Sequence, residues 1–143
     1  MKDASLDQII ELDHQASAAF VKGDPEPKKQ LYSRGDDATL ANPLGPPARG
    51  WQQVNATLEA AASALRDGEP TRFERVSECE TRDLAYIIEI ERTVAKVGDA
   101  DEPSPVALRA TTVFRREGES WKIVHRHADP ITTPRPAESI VNP

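Results

Sequence analysis

The amino-acid sequence predicts one α+β domain in two layers, with three N-terminal helices packed against a strongly curved antiparallel sheet that encloses a pocket. Three observations predict it. The apolar patterns run helix, helix, short strand, helix, then four long strands. Strands and helices do not alternate, and no Gly-rich phosphate loop follows a strand, so a nucleotide-binding Rossmann arrangement is excluded. The 143 residues suffice for one domain and are too few for two ordinary ones, and 38% of them are hydrophobic.

The first helix is predicted over 5–22. Ser5 and Gln8 have capping-box spacing, and Leu6, Ile9, Ile10, Ala16, Ala19 and Phe20 approximate one apolar face. Gly23 can end it in a left-handed conformation. Asp24 then caps a short helix starting at Pro25, with Leu31 and Tyr32 as core anchors. Residues 38–41 read as a short strand. The Asn42–Pro47 stretch, with three prolines and a glycine, reads as an irregular loop. A third helix is expected from Trp51 to Leu65, closed by Gly68 and Pro70. Phe73 to Cys79 has mixed alternation, as around a bulge. Leu84, Tyr86, Ile88 and Ile90 recur at period two. Val106–Arg115 and Trp121–His127, joined through Glu117-Gly118-Glu119-Ser120, form the clearest hairpin. The domain is expected over residues 1–130, followed by a proline-containing tail, 131–143.

Composition narrows the functional classes. The net charge is -6, and basic residues alternate with acids, as in Arg72, Glu74, Arg75, Glu78, Glu80 and Arg82. That is not the basic stripe of a nucleic-acid binder. The single cysteine, Cys79, has no disulfide partner and no zinc-site companions, and reads as a small buried strand residue. No apolar run reaches membrane-spanning length, and the N-terminus lacks a signal-peptide pattern, so a cytoplasmic location is the expectation.

The stretches Tyr32-Ser33-Arg34-Gly35-Asp36-Asp37-Ala38-Thr39-Leu40-Ala41-Asn42-Pro43, Arg49-Gly50-Trp51 and Trp121-Lys122-Ile123-Val124-His125-Arg126-His127-Ala128-Asp129 carry a family resemblance. With the element order, the chain resembles the SnoaL-like branch of the nuclear transport factor 2-like superfamily, which includes ketosteroid isomerases. The resemblance covers roughly residues 5–130 and implies a cone-like fold with a cavity and a homodimer joined through the sheet. It implies either transformation of a small organic molecule or a role in binding and assembly alone. The isomerase pattern carries over only in part. Asn42 stands before Pro43 where the general-base aspartate would be, and the first-helix tyrosine matches a position near Ala16. Neither residue can do the corresponding chemistry.

Candidate site residues follow from strand parity. His125 and His127 are two apart and should face the same side as Trp121 and Ile123. Such a pair can exchange protons, hold a polar ligand, face a dimer partner or, with further ligands, bind metal; no metal site is assigned. Asp37 is the candidate orienting carboxylate near them, or a turn cap. Asn42 and Tyr86 are candidate hydrogen-bond donors, Trp51 a core or cavity-wall residue, and Asp129 a further polar residue of the histidines' parity. Arg109 either pairs with a carboxylate or anionic ligand inside, or lies at an interface. The expected function is binding, with acid/base transformation and no cofactor, of a small, largely apolar organic molecule with one polar end. The alternative is a non-catalytic binding or protein-association domain. The homodimer is expected through the outer sheet face. Leu84, Tyr86, Ile88 and Ile90 share one parity, Ala85 and Ile87 occupy the other, and Glu89, Glu91 and Arg126 interrupt that second face, so a solvated sheet is the alternative.

Overall fold

A computed structural model describes residues 5–142. Residues 1–4 of the expected domain and Pro143 of the expected tail lie outside the described residues. Helix α1 spans Leu6–Phe20, with the Ser5/Gln8 capping box formed, and its inward stripe buries Leu6, Ile9, Ile10, Asp13, Ala16 and Ser17. Gly23 follows at φ 97°, and a side chain there would press to 3.1 Å from the Leu65 carbonyl. Helix α2 spans Glu26–Leu31, and Asp24 accepts from the Glu26 amide. Helix α3 spans Trp51–Ser63 and buries Val54, Leu58, Ala61 and Ala62.

The strands are β1 (Thr39–Ala41), β2 (Ala48–Arg49), β3 (Leu65–Arg66), β4 (Arg72–Glu80), β5 (Leu84–Val97), β6 (Ser104–Glu117) and β7 (Ser120–Asp129). They form one strongly curved sheet, a half-barrel closed by the helices. The strand order is β2-β1-β7-β6-β5-β3, and β4 also pairs with β5. All pairings are antiparallel except β1 with β7. Gly118, at φ 64°, supplies the tight β6–β7 turn.

Three local expectations are corrected. Helix α3 ends before Leu65, because Leu65 and Arg66 leave it to pair with Val97 and Lys96 of β5. The loop after β1 contains a strand: Ala48 and Arg49 return beside Leu40 and Thr39. Cys79 is exposed on edge strand β4 and not buried. The expected bulge in β4 lies between Arg75 and Ser77.

The core lies between the concave sheet face and the helices. Phe114, Trp121, Ile123, Ile87 and Ala85 from the sheet meet Leu6, Ile9, Ile10, Tyr32, Val54 and Leu58. Beyond β7 the chain forms one short 3-10 turn, Ala137–Ile140, and Ile140 and Val141 are exposed. No helix among the described residues is long and apolar enough to cross a membrane.

Candidate functional site

The facing of the second half of β7 is decided by one residue. Phe114 pairs with Ile123, but Val113 pairs with His125, so Val124 is an extra residue in β7. A one-residue bulge reverses the facing of every side chain beyond it. Trp121 and Ile123 therefore point into the core, and after the bulge Arg126 and Ala128 do so. His125, His127 and Asp129 are turned to the convex face. The expectation that both histidines share a face with Trp121 and Ile123 is thereby corrected.

Convex neighbours follow from the register. Tyr86 lies across from Val113 and Val113 from His125; Ile90 lies across from Arg109 and Arg109 from Asp129. His125 Nδ1 is 2.8 Å from Thr39 Oγ1. His127 Nε2 is 2.9 Å from Asp129 Oδ2, and Arg109 Nε donates to Asp129 Oδ1 at 2.7 Å. Burial lowers the pKa of His125, and the charge of His127 lowers it further. Burial would raise the Asp129 carboxyl, but Arg109, the Ile131 amide and His127 bring it to about 2.

The other three candidates are dispersed. Asp37 is exposed and held by Arg115 through bonds of 2.7 and 3.1 Å, which lower its pKa; neither histidine touches it. The Asn42 side-chain carbonyl accepts from the Leu44 amide at 2.9 Å, closing a turn. Asn42 lines a groove of about 470 Å³ with Pro46, Pro47, Thr57 and Ala60, on the outer side of α3 and away from the sheet's polar groups. Trp51 packs against the core while the Arg34 guanidinium lies 3.5 Å above its ring.

The concave face gathers polar groups that parity alone had set on the solvent side. Glu89 and Glu91 belong to the buried set of β5, with Ala85 and Ile87, whereas Tyr86, Ile88 and Ile90 face outward. Their charges are tolerated because each has a partner. Arg126 grips Glu91 with two bonds of 2.8 Å. Burial would raise the Glu91 carboxyl, but Arg126 holds it below the usual range. Lys28 of α2 pairs with Asp13 of α1 and donates to Ser17 Oγ at 3.0 Å. Glu89 is approached by His14 and by Arg75, each at 2.9 Å, which outweigh its burial and lower its pKa. Tyr32 is 1% exposed, and its hydroxyl has no hydrogen-bond partner among the described residues. Burial raises its pKa, against the pull of Arg126.

This interior array is the candidate site. Asp13, His14, Lys28 and Arg75 carried no motif that would have singled them out, and Tyr32, though it opens one of the stretches carrying the family resemblance, read only as a core anchor. Glu89, Glu91 and Arg126 were visible as charges within apolar strands, a signal that marks either a solvated face or a paired interior. Among the described residues no group of three or more His, Cys, Asp or Glu side chains is arranged to hold a metal ion.

The model of the SnoaL-like domain matches residues 9–132. The chain belongs to the SnoaL-like domain family. A search of curated proteins finds no significant match. Solved structures share the fold of this SnoaL-like domain. One is a candidate calcium/calmodulin-dependent protein kinase type II association domain from Thiobacillus denitrificans. It is 24% identical with TM-score 0.69, covering 91% of this chain and 98% of that chain. A candidate dehydratase of the NTF2-like family from Streptomyces avermitilis is 20% identical with TM-score 0.69, covering 90% and 96%. An NTF2-like superfamily protein from Salmonella enterica serovar Typhimurium is 18% identical with TM-score 0.73, covering 92% and 94%.

Proposed function

We propose that this SnoaL-like domain binds a small, largely apolar organic molecule between the concave sheet face and its helices, with the ligand's polar end at the Tyr32 hydroxyl. The unpartnered Tyr32 hydroxyl carries this reading. A buried hydroxyl without a partner costs about 1–3 kcal/mol, so such a group marks a place where another polar atom belongs. The surrounding charges argue for a neutral ligand. Asp13, Glu89 and Glu91 are each matched, by Lys28, Arg75 and Arg126. A charged ligand would add an uncompensated buried charge. The apolar residues clustered with Tyr32, among them Leu58, Phe114 and Ile123, would contact the rest of the molecule. Acid/base transformation of the bound molecule belongs to the same proposal.

The test uses prodan, a neutral apolar fluorophore with one carbonyl. Saturable, blue-shifted emission is expected. Tyr32→Phe should weaken it by about tenfold, the equivalent of one hydrogen bond of about 1.4 kcal/mol. The same variant should keep or raise the Tm, because an unsatisfied hydroxyl is removed. Unchanged prodan affinity in Tyr32→Phe, or no saturable binding, would overturn the reading.

A second reading rests on the convex face, where Leu84 and Tyr86 are 50% and 38% exposed beside Ile88, Ile90 and Val113. Exposed apolar sheet surface of this kind favours two-fold self-association. The Thiobacillus denitrificans relative's being an association domain supports it. A homodimer through this face predicts a mass near twice 15.7 kDa that falls on dilution. Ile88→Lys should yield monomer at all concentrations. A wild-type monomer at high micromolar concentration would defeat this reading.

A further inference from the structure

His14 sits at the rim of the interior, where α1 passes the edge strand β4. Its Nε2 lies 2.9 Å from Glu89 Oε1, and the other carboxylate oxygen accepts from Arg75 Nε at 2.9 Å. The imidazole stacks on Phe73 with ring centroids 3.7 Å apart and planes inclined by 11°. Stacking fixes the ring plane, and the carboxylate fixes its rotation. The Glu89 side chain is 4% exposed and the His14 side chain 21%, so the pair runs from a buried anion to an accessible ring.

The hydrogen-bond pattern sets the tautomer. An ionised carboxylate only accepts, so Nε2 carries the hydrogen and Nδ1 keeps its lone pair. Nδ1 makes no hydrogen bond among the described residues. The charged groups around the ring come from every neighbouring element. Arg75 and Glu78 stand on β4, Glu89 and Glu91 on β5, and Arg126 on β7. Asp13 and Glu11 stand on α1, and Lys28 on α2. A ring oriented by a buried carboxylate, itself clamped by an arginine, is the arrangement that general-base chemistry needs.

We propose that His14 is the proton-transfer residue of the interior site, with Glu89 as its positioning residue. This rests on the ligand-binding reading above. The bound neutral molecule gives a proton to Nδ1 while the bonding pair stays on the ligand. The imidazolium is held against the Glu89 carboxylate, and the same proton returns to a different atom of the ligand. No co-reactant is required.

The probe for the test is a nitrobenzisoxazole, whose ring C–H is removed by a base as its N–O bond breaks and a coloured cyanophenolate is released. The intact protein should exceed free imidazole at equal concentration by about tenfold or more. His14→Gln keeps a donor for Glu89 and should fall to the rate of free imidazole or below. The His125→Gln/His127→Gln double variant should keep the wild-type rate. Glu89→Gln should lower the rate and lose the single Nε2–H tautomer of His14 in imidazole NMR; a role confined to packing would leave that tautomer in place. Isotope-resolved imidazole NMR of the wild type should show His14 as the Nε2–H tautomer, a readout that survives if Glu89→Gln does not fold. The opposite tautomer, full rate in His14→Gln, or a wild-type rate no better than imidazole overturns the proposal. Prodan binding in the same samples separates the two readings. Intact binding without proton transfer removes His14 alone, and absent binding removes the interior site.

Discussion

The two faces of the central sheet carry the same chemistry to different ends. On the concave face Arg126 pairs with Glu91, their side chains 14% and 10% exposed. On the convex face Arg109 pairs with Asp129, at 53% and 18%. Both are arginine–carboxylate pairs bridging strands, with bonds of 2.7–2.8 Å. Each face also has a histidine beside a carboxylate, His14 with Glu89 inside and His127 with Asp129 outside. Distance does not separate them; surroundings do. Water can take over when a convex partner is lost, whereas a concave partner leaves its mate with an unsolvated charge.

The largest expected effect comes from breaking one half of the inner pair. Arg126→Met should lower unfolding free energy by about 3–5 kcal/mol, against about 0–1 kcal/mol for Arg109→Met. Urea denaturation measures both, and equal losses would erase the distinction. Arg126→Met combined with Glu91→Leu should recover most of the stability, since no charge is then stranded. Packing gives the next contrast. Phe114 is fully buried and its neighbour Val113 points outward. Phe114→Ala should cost about 3–5 kcal/mol and Val113→Ala under about 1 kcal/mol.

Acid sharpens the same comparison with a smaller effect. The folded pKa values of Glu89 and Glu91 lie below their ordinary one, so the folded state binds fewer protons than the unfolded state in that window. Their contribution is complete above an unfolded value of about 4.3 and is lost as pH falls through the folded value. Asp129 behaves likewise, down to about 2. In acid titrations followed by circular dichroism, Glu91→Gln should flatten the loss more than Asp129→Asn. The smallest effect belongs to His125, whose folded pKa is below the usual 6.5. Its neutral form favours the fold, so stability should decline slightly as pH drops below about 6.5. His125→Gln should remove that part of the decline in Tm. A wild-type Tm flat from neutral pH to mildly acidic conditions would contradict it.

Much of the fold is legible in residue patterns because it rests on local periodicity. The capping box at Ser5 and Gln8, the alternation from Leu84 to Ile90 and the turn at Gly118 each specify an element from its own neighbourhood. The site is far less legible. His125 and His127 drew attention by spacing, yet Val124 turns them outward, and nothing in that valine announces a bulge. A bulge arises when the pairing partners of two strands disagree by one residue, here Phe114 with Ile123 and Val113 with His125. Parity along a single strand does not contain that disagreement. Leu84, Tyr86, Ile88 and Ile90 form the most regular apolar row of β5, but they face away from the helices. The row containing Glu89 and Glu91 turns inward because Arg126, Arg75 and His14 meet it there.

By itself, then, the sequence determined the order of the helices and long strands, the β6–β7 hairpin and the α+β class, since hydrophobic period and turn chemistry act over a few residues. Only the tertiary structure decided which face of the sheet is the interior. That choice depends on pairing charges far apart in the chain, Glu91 with Arg126 and Glu89 with His14, 35 and 75 residues away. A charge is excluded from a core or welcomed into it according to whether its partner arrives, and that partner is known only when the chain has closed around it.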